Sequence, residues 1–201
     1  MKKHLIWLAA SVLIAQFPVA IAQQPEVREA IRVEIEQLRE SGILSIGGVD
    51  IAAGNLLADV YERRNFAPNW SRDEINELIT AVRRTEKDGL DPADYHLKEL
   101  EYVYRELGTG RQLSPQEQAA LDVMLTDSLF RLGYHLRYGK VNPQNFDKAW
   151  NFRRELNNQS PAVVMQQAMD APSLLEFIDE LTPRGWKLAR EKMAASSATA
   201  V

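Results

Sequence analysis

Cysteine is absent from the 201-residue chain, which removes every thiol nucleophile, thiolate metal ligand and disulfide. A chain of this size can fold on its hydrophobic core without such bridges, even after export. Histidine is scarce, with three residues in all, of which only His96 and His135 lie beyond the N-terminal apolar segment. There is no HExxH and no pair of histidines four apart, so a zinc site is not expected. A phosphate-cradling glycine loop, a GxSxG elbow and an EF-hand loop are missing as well. Asp88, Asp91 and Asp94 sit among Gly89 and Pro92 and read as helix caps rather than calcium ligands. No metal and no cofactor is expected. An excess of basic charge is also lacking. The formal net charge is -4, and Lys2 and Lys3 at the very start leave the remainder more acidic still. That balance carries no electrostatic footprint for nucleic acid.

What is present is ordinary globular composition, 45% hydrophobic and 26% charged, in a chain long enough for one sizeable core. Residues 1–22 have the pattern of a secretory signal. Lys2 and Lys3 supply the charged start, Leu5 to Ala15 the apolar run, and Ala20-Ile21-Ala22 the small-residue cleavage site. Pro18 and Gln16 weigh against an uncleaved membrane span. Export to the periplasm is the expectation, with no stable membrane anchor after cleavage. A lipid anchor needs a cysteine that the chain does not have.

The rest is a series of helix signals. After a loose start at Gln23–Pro25, Val27, Ile31, Ile35 and Leu38 are spaced for an amphipathic helix over 26–41. This N-terminal extension (23–42) is dense in Glu and Arg on its other faces, and loose docking is expected of it. ILSIGGVDI allows a short extended piece or hairpin, not a larger sheet. Helices are expected over 55–65, from the Ser71-x-x-Glu74 capping box to Asp88-Gly89, and over 97–107. Further starts are marked at Asn142-Pro143, Ser160-Pro161, Ser173-x-x-Glu176 and Thr182-Pro183. Residues 193–201 read as a frayed tail.

The organising element opens at Ser114-Pro115, with Glu117 completing a capping box, and nothing breaks it before Gly139. About 24 residues of helix, about 36 Å, are predicted over 115–138. Leu121, Leu125, Leu129, Leu132 and Leu136 form one stripe, and Val123, Phe130, Tyr134 and Tyr138 a second on the opposite side. A narrow strip of Asp122, Thr126, Gly133 and Arg137 is left to face solvent. A helix apolar on two sides is central, with neighbours packed around it. The class predicted is all-α, one multi-helix domain of about eight helices around this one.

One polar set stands out within it. Asp127 and Arg131 are four apart with the acid first, and Tyr134, His135, Arg137, Tyr138 and Lys140 gather toward the exit. Such a set either fixes neighbouring loops through hydrogen bonds or lines a groove for a polar ligand such as peptide or glycan. With Asn142 just beyond, and Trp186 near the C-terminus, these residues are the candidate ligand or partner contacts. A catalytic pair of carboxylates is not singled out by spacing among 28 acids.

Three blocks, NLLADVYERRNFAPNW, DGLDPADYHL and LTDSLFRLGYHLRYGKVNPQNFDKAW, resemble the helical scaffold domain of the large periplasmic murein L,D-transpeptidases. YHLRYGKVNP is the most specific part, the resemblance spans roughly Ile43 to Ala189, and the scaffold domain is expected over 43–192. It implies an exported, cell-wall-associated protein with a mainly helical scaffold. In the family, catalysis uses a cysteine in an SHGC-type motif of a separate domain, expected to begin about where these residues end. No catalytic residue carries over. The expectation is a non-catalytic scaffold or interaction protein in peptidoglycan maintenance, with peptidoglycan, a cell-wall protein or a second copy as partner. The alternatives are a carboxylate-dependent wall hydrolase and the remnant of a truncated transpeptidase.

Overall fold

A computed structural model of the protein describes residues 19–51, 53–140 and 159–183. Seven α-helices and one two-stranded hairpin occur among the described residues. They are α1 (Val19–Ser41), β1 (Leu44–Ile46), β2 (Val49–Ile51), α2 (Gly54–Arg63), α3 (Arg72–Arg84), α4 (Leu97–Gly108), α5 (Pro115–Tyr138), α6 (Pro161–Met169) and α7 (Leu174–Leu181). The fold is all-α. The expected helix starts at Asn142-Pro143 and after Pro183, residues 1–18 of the expected signal, Asn142, Trp186 and the tail lie outside the described residues.

Helix α5 has the limits its sequence announces. The Ser114 side chain accepts from the Glu117 N–H, and the Glu117 carboxylate accepts from the Ser114 N–H at 2.9 Å. The reciprocal pair satisfies two of the amides that a helix start leaves without partners. Ser71 and Glu74 repeat the arrangement at α3, which tightens into a 3-10 turn over Thr85–Asp88 and closes at Gly89 with φ 73°. Leu125, Leu129 and Leu132 are fully buried on one side of α5, and Val123 and Phe130 on the other. Helices α1, α2, α3 and α7 all pack on it. Gly133 leaves room for the Met165 side chain of α6, whose methyl carbon would stand 2.7 Å from a Cβ there.

Two expectations are corrected at the N-terminus. Residues 23–25 are helical, because α1 starts at Val19 and winds through Pro25. The ring forgoes one hydrogen bond, while the alanines and glutamines around it favour helix. Nor is α1 loosely docked. Val27, Ile31, Ile35 and Leu38 are at most 3% exposed and lie along α5. The charge on its other faces is turned to solvent, where Arg32 pairs with Glu29 and Glu36, and a charged outer face does not weaken an apolar inner one.

ILSIGGVDI forms the hairpin that its glycines permit. Leu44 pairs with Ile51 and Ile46 with Val49, and Gly47 and Gly48 take positive φ between them. At α7 a cap is supplied from afar. Glu77 of α3 accepts from the Leu175 N–H at 2.9 Å, beside Ser173, whose side chain caps Glu176.

Candidate functional site

The strip of α5 expected to face solvent is mostly interior. Asp122 is 5% exposed, Thr126 is fully buried and Gly133 is buried, while Arg137 is half-covered. The physical reason is that distant segments bring donors to these side chains, so burial leaves them hydrogen-bonded rather than stranded.

Asp122 is held by α2 and the segment that follows it. One carboxylate oxygen accepts from the Tyr61 hydroxyl at 2.7 Å, the other from the Asn69 N–H at 2.8 Å. The Trp70 indole N–H donates to the Thr126 hydroxyl at 2.9 Å, and that hydroxyl donates to the Asp122 carbonyl at 2.9 Å. Together these bonds fasten residues 61–70 onto α5. Burial pushes the Asp122 carboxyl from the usual 3.8 up to about 6, against the lowering effect of the Tyr61, Asn69 and Trp70 bonds and the nearby Arg64 charge. Burial also raises the Tyr61 hydroxyl well above its ordinary value, with the Asp122 charge adding to it.

A folded-state pKa above the unfolded one has a definite sign. Between pH of about 4 and about 6 the folded chain keeps a proton that the unfolded chain has released, so stability falls as pH rises through that window. The shift corresponds to about 3 kcal/mol. In Asp122→Asn this contribution vanishes. Urea unfolding measured across that range is expected to give a flatter stability profile for the variant than for the parent. Equal slopes would show that Asp122 titrates normally in the folded chain.

Asp127, one residue past the Thr126 tie, is completely buried and serves a second set of segments. One oxygen accepts from the Ala53 N–H at 2.9 Å. The other lies 3.0 Å from His96 Nε2 and 2.7 Å from Arg131 Nε, one helical turn further along α5. Arg131 reaches on to the Asp50 carbonyl of β2 and the Asp94 carbonyl of the 3-10 turn Pro92–Tyr95. His96 adopts left-handed φ of 58° at the start of α4, which costs a non-glycine residue a little strain. Its ring makes no cap to α4 and turns in to Asp127 instead. Ser128 donates to the Tyr95 carbonyl at 2.9 Å, a further tie to the same turn.

The predicted aromatic and basic residues collect at the C-terminal end of α5. His135 Nδ1 lies 2.9 Å from the Tyr95 hydroxyl, with the two rings edge to face at 5.7 Å. Tyr134 packs against Tyr138 at 5.1 Å and against His135 at 6.1 Å. Lys140 bonds to the Asp94 carboxylate. Burial raises the Tyr95 hydroxyl, and the Asp94 and Asp91 charges raise it further. Tyr134 is 37% exposed and Arg137 half-covered, so this end of the helix presents a rim of rings and cations beside the Pro92–Tyr95 turn. Tyr134, His135, Arg137, Tyr138 and Lys140 are therefore neighbours. Asn142 and Trp186 lie outside the described residues.

Residues 55–189 match a family model described as the Scaffold domain. The chain belongs to this family, the scaffold domain of L,D-transpeptidases. No curated protein and no solved structure matches it. The matched stretch begins at α2, so α1 and the hairpin lie before it, and it contains both buried carboxylates of α5.

The buried carboxylates of α5 hold distant segments in place. Asp122 borders a hollow of about 320 Å³ with Trp70, Arg72 and Leu125, and among the described residues it is the one carboxylate lining it. Two-carboxylate glycoside hydrolysis needs a second acid across the reacting bond, which this hollow does not offer among the described residues. Both Asp122 oxygens are, moreover, already engaged. Among the described residues no cluster of His, Asp and Glu is placed to hold a metal ion. Sequence reading put Asp122 on a solvent strip, weighed His96 only as a metal ligand, and did not count Tyr61 or Trp70 among the candidate contacts. The available signal was two aspartates in the middle of a helix that is apolar on both sides, where such residues persist only with partners.

Proposed function

We propose that this chain is a non-catalytic scaffold of the L,D-transpeptidase type, acting in the periplasm in peptidoglycan maintenance. The observation that carries the reading is the scaffold-family match over 55–189 in a chain without a single cysteine. The family's acyl transfer needs a thiolate, and these residues supply none. The buried ties of Asp122 and Asp127 support the same view, since they spend the charged groups of α5 on fixing segments. In this reading Tyr134, Arg137, Tyr138 and Lys140 contact a cell-wall polymer or a wall protein, with aromatic faces for sugar or peptide and cations for carboxylates. Asn142 and Trp186 extend that set.

The test has two arms. Purified protein incubated with a carbapenem is expected to keep its intact mass, and with tetrapeptide stems to form no crosslink. Isolated sacculi, or envelope extract after crosslinking, are expected to retain it, with Tyr134→Ala and Lys140→Ala weakening retention. A covalent adduct would overturn the non-catalytic assignment. Release of soluble muropeptides would establish a hydrolase in its place.

A further inference from the structure

Helix α4 carries an aromatic ring in the open. Tyr102 is 55% exposed at the lip of a hollow of about 670 Å³ between α4, the first half of α5 and the hairpin turn. Val103, Leu113, Leu121 and Met124 give the hollow an apolar lining. A lone exposed tyrosine is unexceptional. The charges around it are less ordinary. Lys98, Glu99, Arg105 and Glu106 all border the hollow, and none joins an ion pair among the described residues. Nearby charges do find partners, since Glu101 pairs with Arg83 and Arg111 with Glu117.

The order of those four charges is antisymmetric about position 102. Lys98 and Glu106 are each four residues from Tyr102, and Glu99 and Arg105 each three, so one acid and one base stand at equal distance on either side. A helix laid antiparallel against an identical one, with the two-fold axis at Tyr102, meets opposite charge at every one of these positions. Lys98 of one copy faces Glu106 of the other, Glu99 faces Arg105, and symmetry makes each pair twice. Any arrangement that brought like positions together would instead oppose like charges.

We propose that a second copy of this chain occupies the hollow, α4 crossing its counterpart antiparallel about Tyr102. Each Tyr102 enters the apolar hollow of the other copy and acts as the anchor, while the four ion pairs set direction and register. The surface is self-complementary, as a closed dimer requires. This goes beyond the wall-associated role and needs neither peptidoglycan nor a catalytic domain, so either reading can fail without the other.

Sedimentation equilibrium on the purified protein tests it, with far-UV circular dichroism confirming that each variant keeps its helices. The parent protein is expected to dimerise in the micromolar range. E99R and R105E each turn two opposite-charge pairs into like-charge pairs and should each weaken association by about tenfold or more. In the mixed dimer of an equimolar mixture, the two arginines of one variant face the two glutamates of the other, two opposite-charge pairs as in the parent, and it should dimerise like the parent. K98E mixed with E106K repeats the test at the outer pairs, and Tyr102→Ala should abolish dimers in every background. A monomeric parent throughout that range overturns the proposal. So does dimerisation that E99R and R105E leave unchanged, or a mixture that fails to recover it.

Discussion

Asp127→Ala is expected to destabilise the protein by about 3 kcal/mol, the lower end of what removing one partner of a buried ion pair costs. The lower end is chosen because Arg131 retains 23% exposure of its side chain and regains some hydration. The Ala53 N–H loses its acceptor and His96 its partner. Asp127→Asn keeps an acceptor for one of these donors and should cost less than the alanine change. Urea unfolding measures the totals. Amide exchange at Ala53 gives the local readout, and it is expected to speed up in Asp127→Ala more than exchange in the middle of α3. An alanine variant as stable as the parent would mean that Asp127 does not hold the hairpin and the His96 turn against α5.

Leu129→Ala should cost about 2–5 kcal/mol, because a fully buried side chain is removed from a site walled by several helices and the space left is poorly refilled. Leu121 lies two turns earlier on the same stripe and is only half-buried at the edge of two hollows. Leu121→Ala is therefore expected to cost less than half as much. The comparison isolates tertiary burial, since residue type, helix and face are shared. Amides between Leu125 and Leu136 should be the slowest to exchange in the parent protein, consistent with α5 lying among α1, α2, α3 and α7. Equal costs at the two leucines, or fast exchange along that stretch, would show that α5 is not the central element.

Helix α5 was legible in the sequence because its determinants are local. A cap such as Ser114 with Glu117 is decided within four residues, and the leucine stripe by the pitch of the helix itself. The same holds for α3 behind Ser71 and Glu74, for the left-handed stop at Gly89 and for the turn at Gly47-Gly48. The scaffold resemblance was legible for a related reason, as it rests on contiguous blocks of residues. The tight seating of α1 was not, because its inward stripe, though legible, has its partner α5 far along the chain.

The polar interior of α5 was decided by tertiary structure alone. By periodicity, Asp122 and Thr126 belong to a solvent strip, and a polar residue on that strip looks the same whether water or protein satisfies it. What makes burial affordable here is a set of donors far away in sequence. Asn69 is 53 residues from Asp122, Tyr61 is 61 away, and Ala53 is 74 from Asp127. Glu77 reaching 98 residues to cap α7 is another instance. The sequence by itself determined where α3, α5, α6 and α7 start and which apolar stripes the helices carry. Only the folded chain decided which charges lie inside, because the free energy of a buried carboxylate depends on partners that no local pattern can specify.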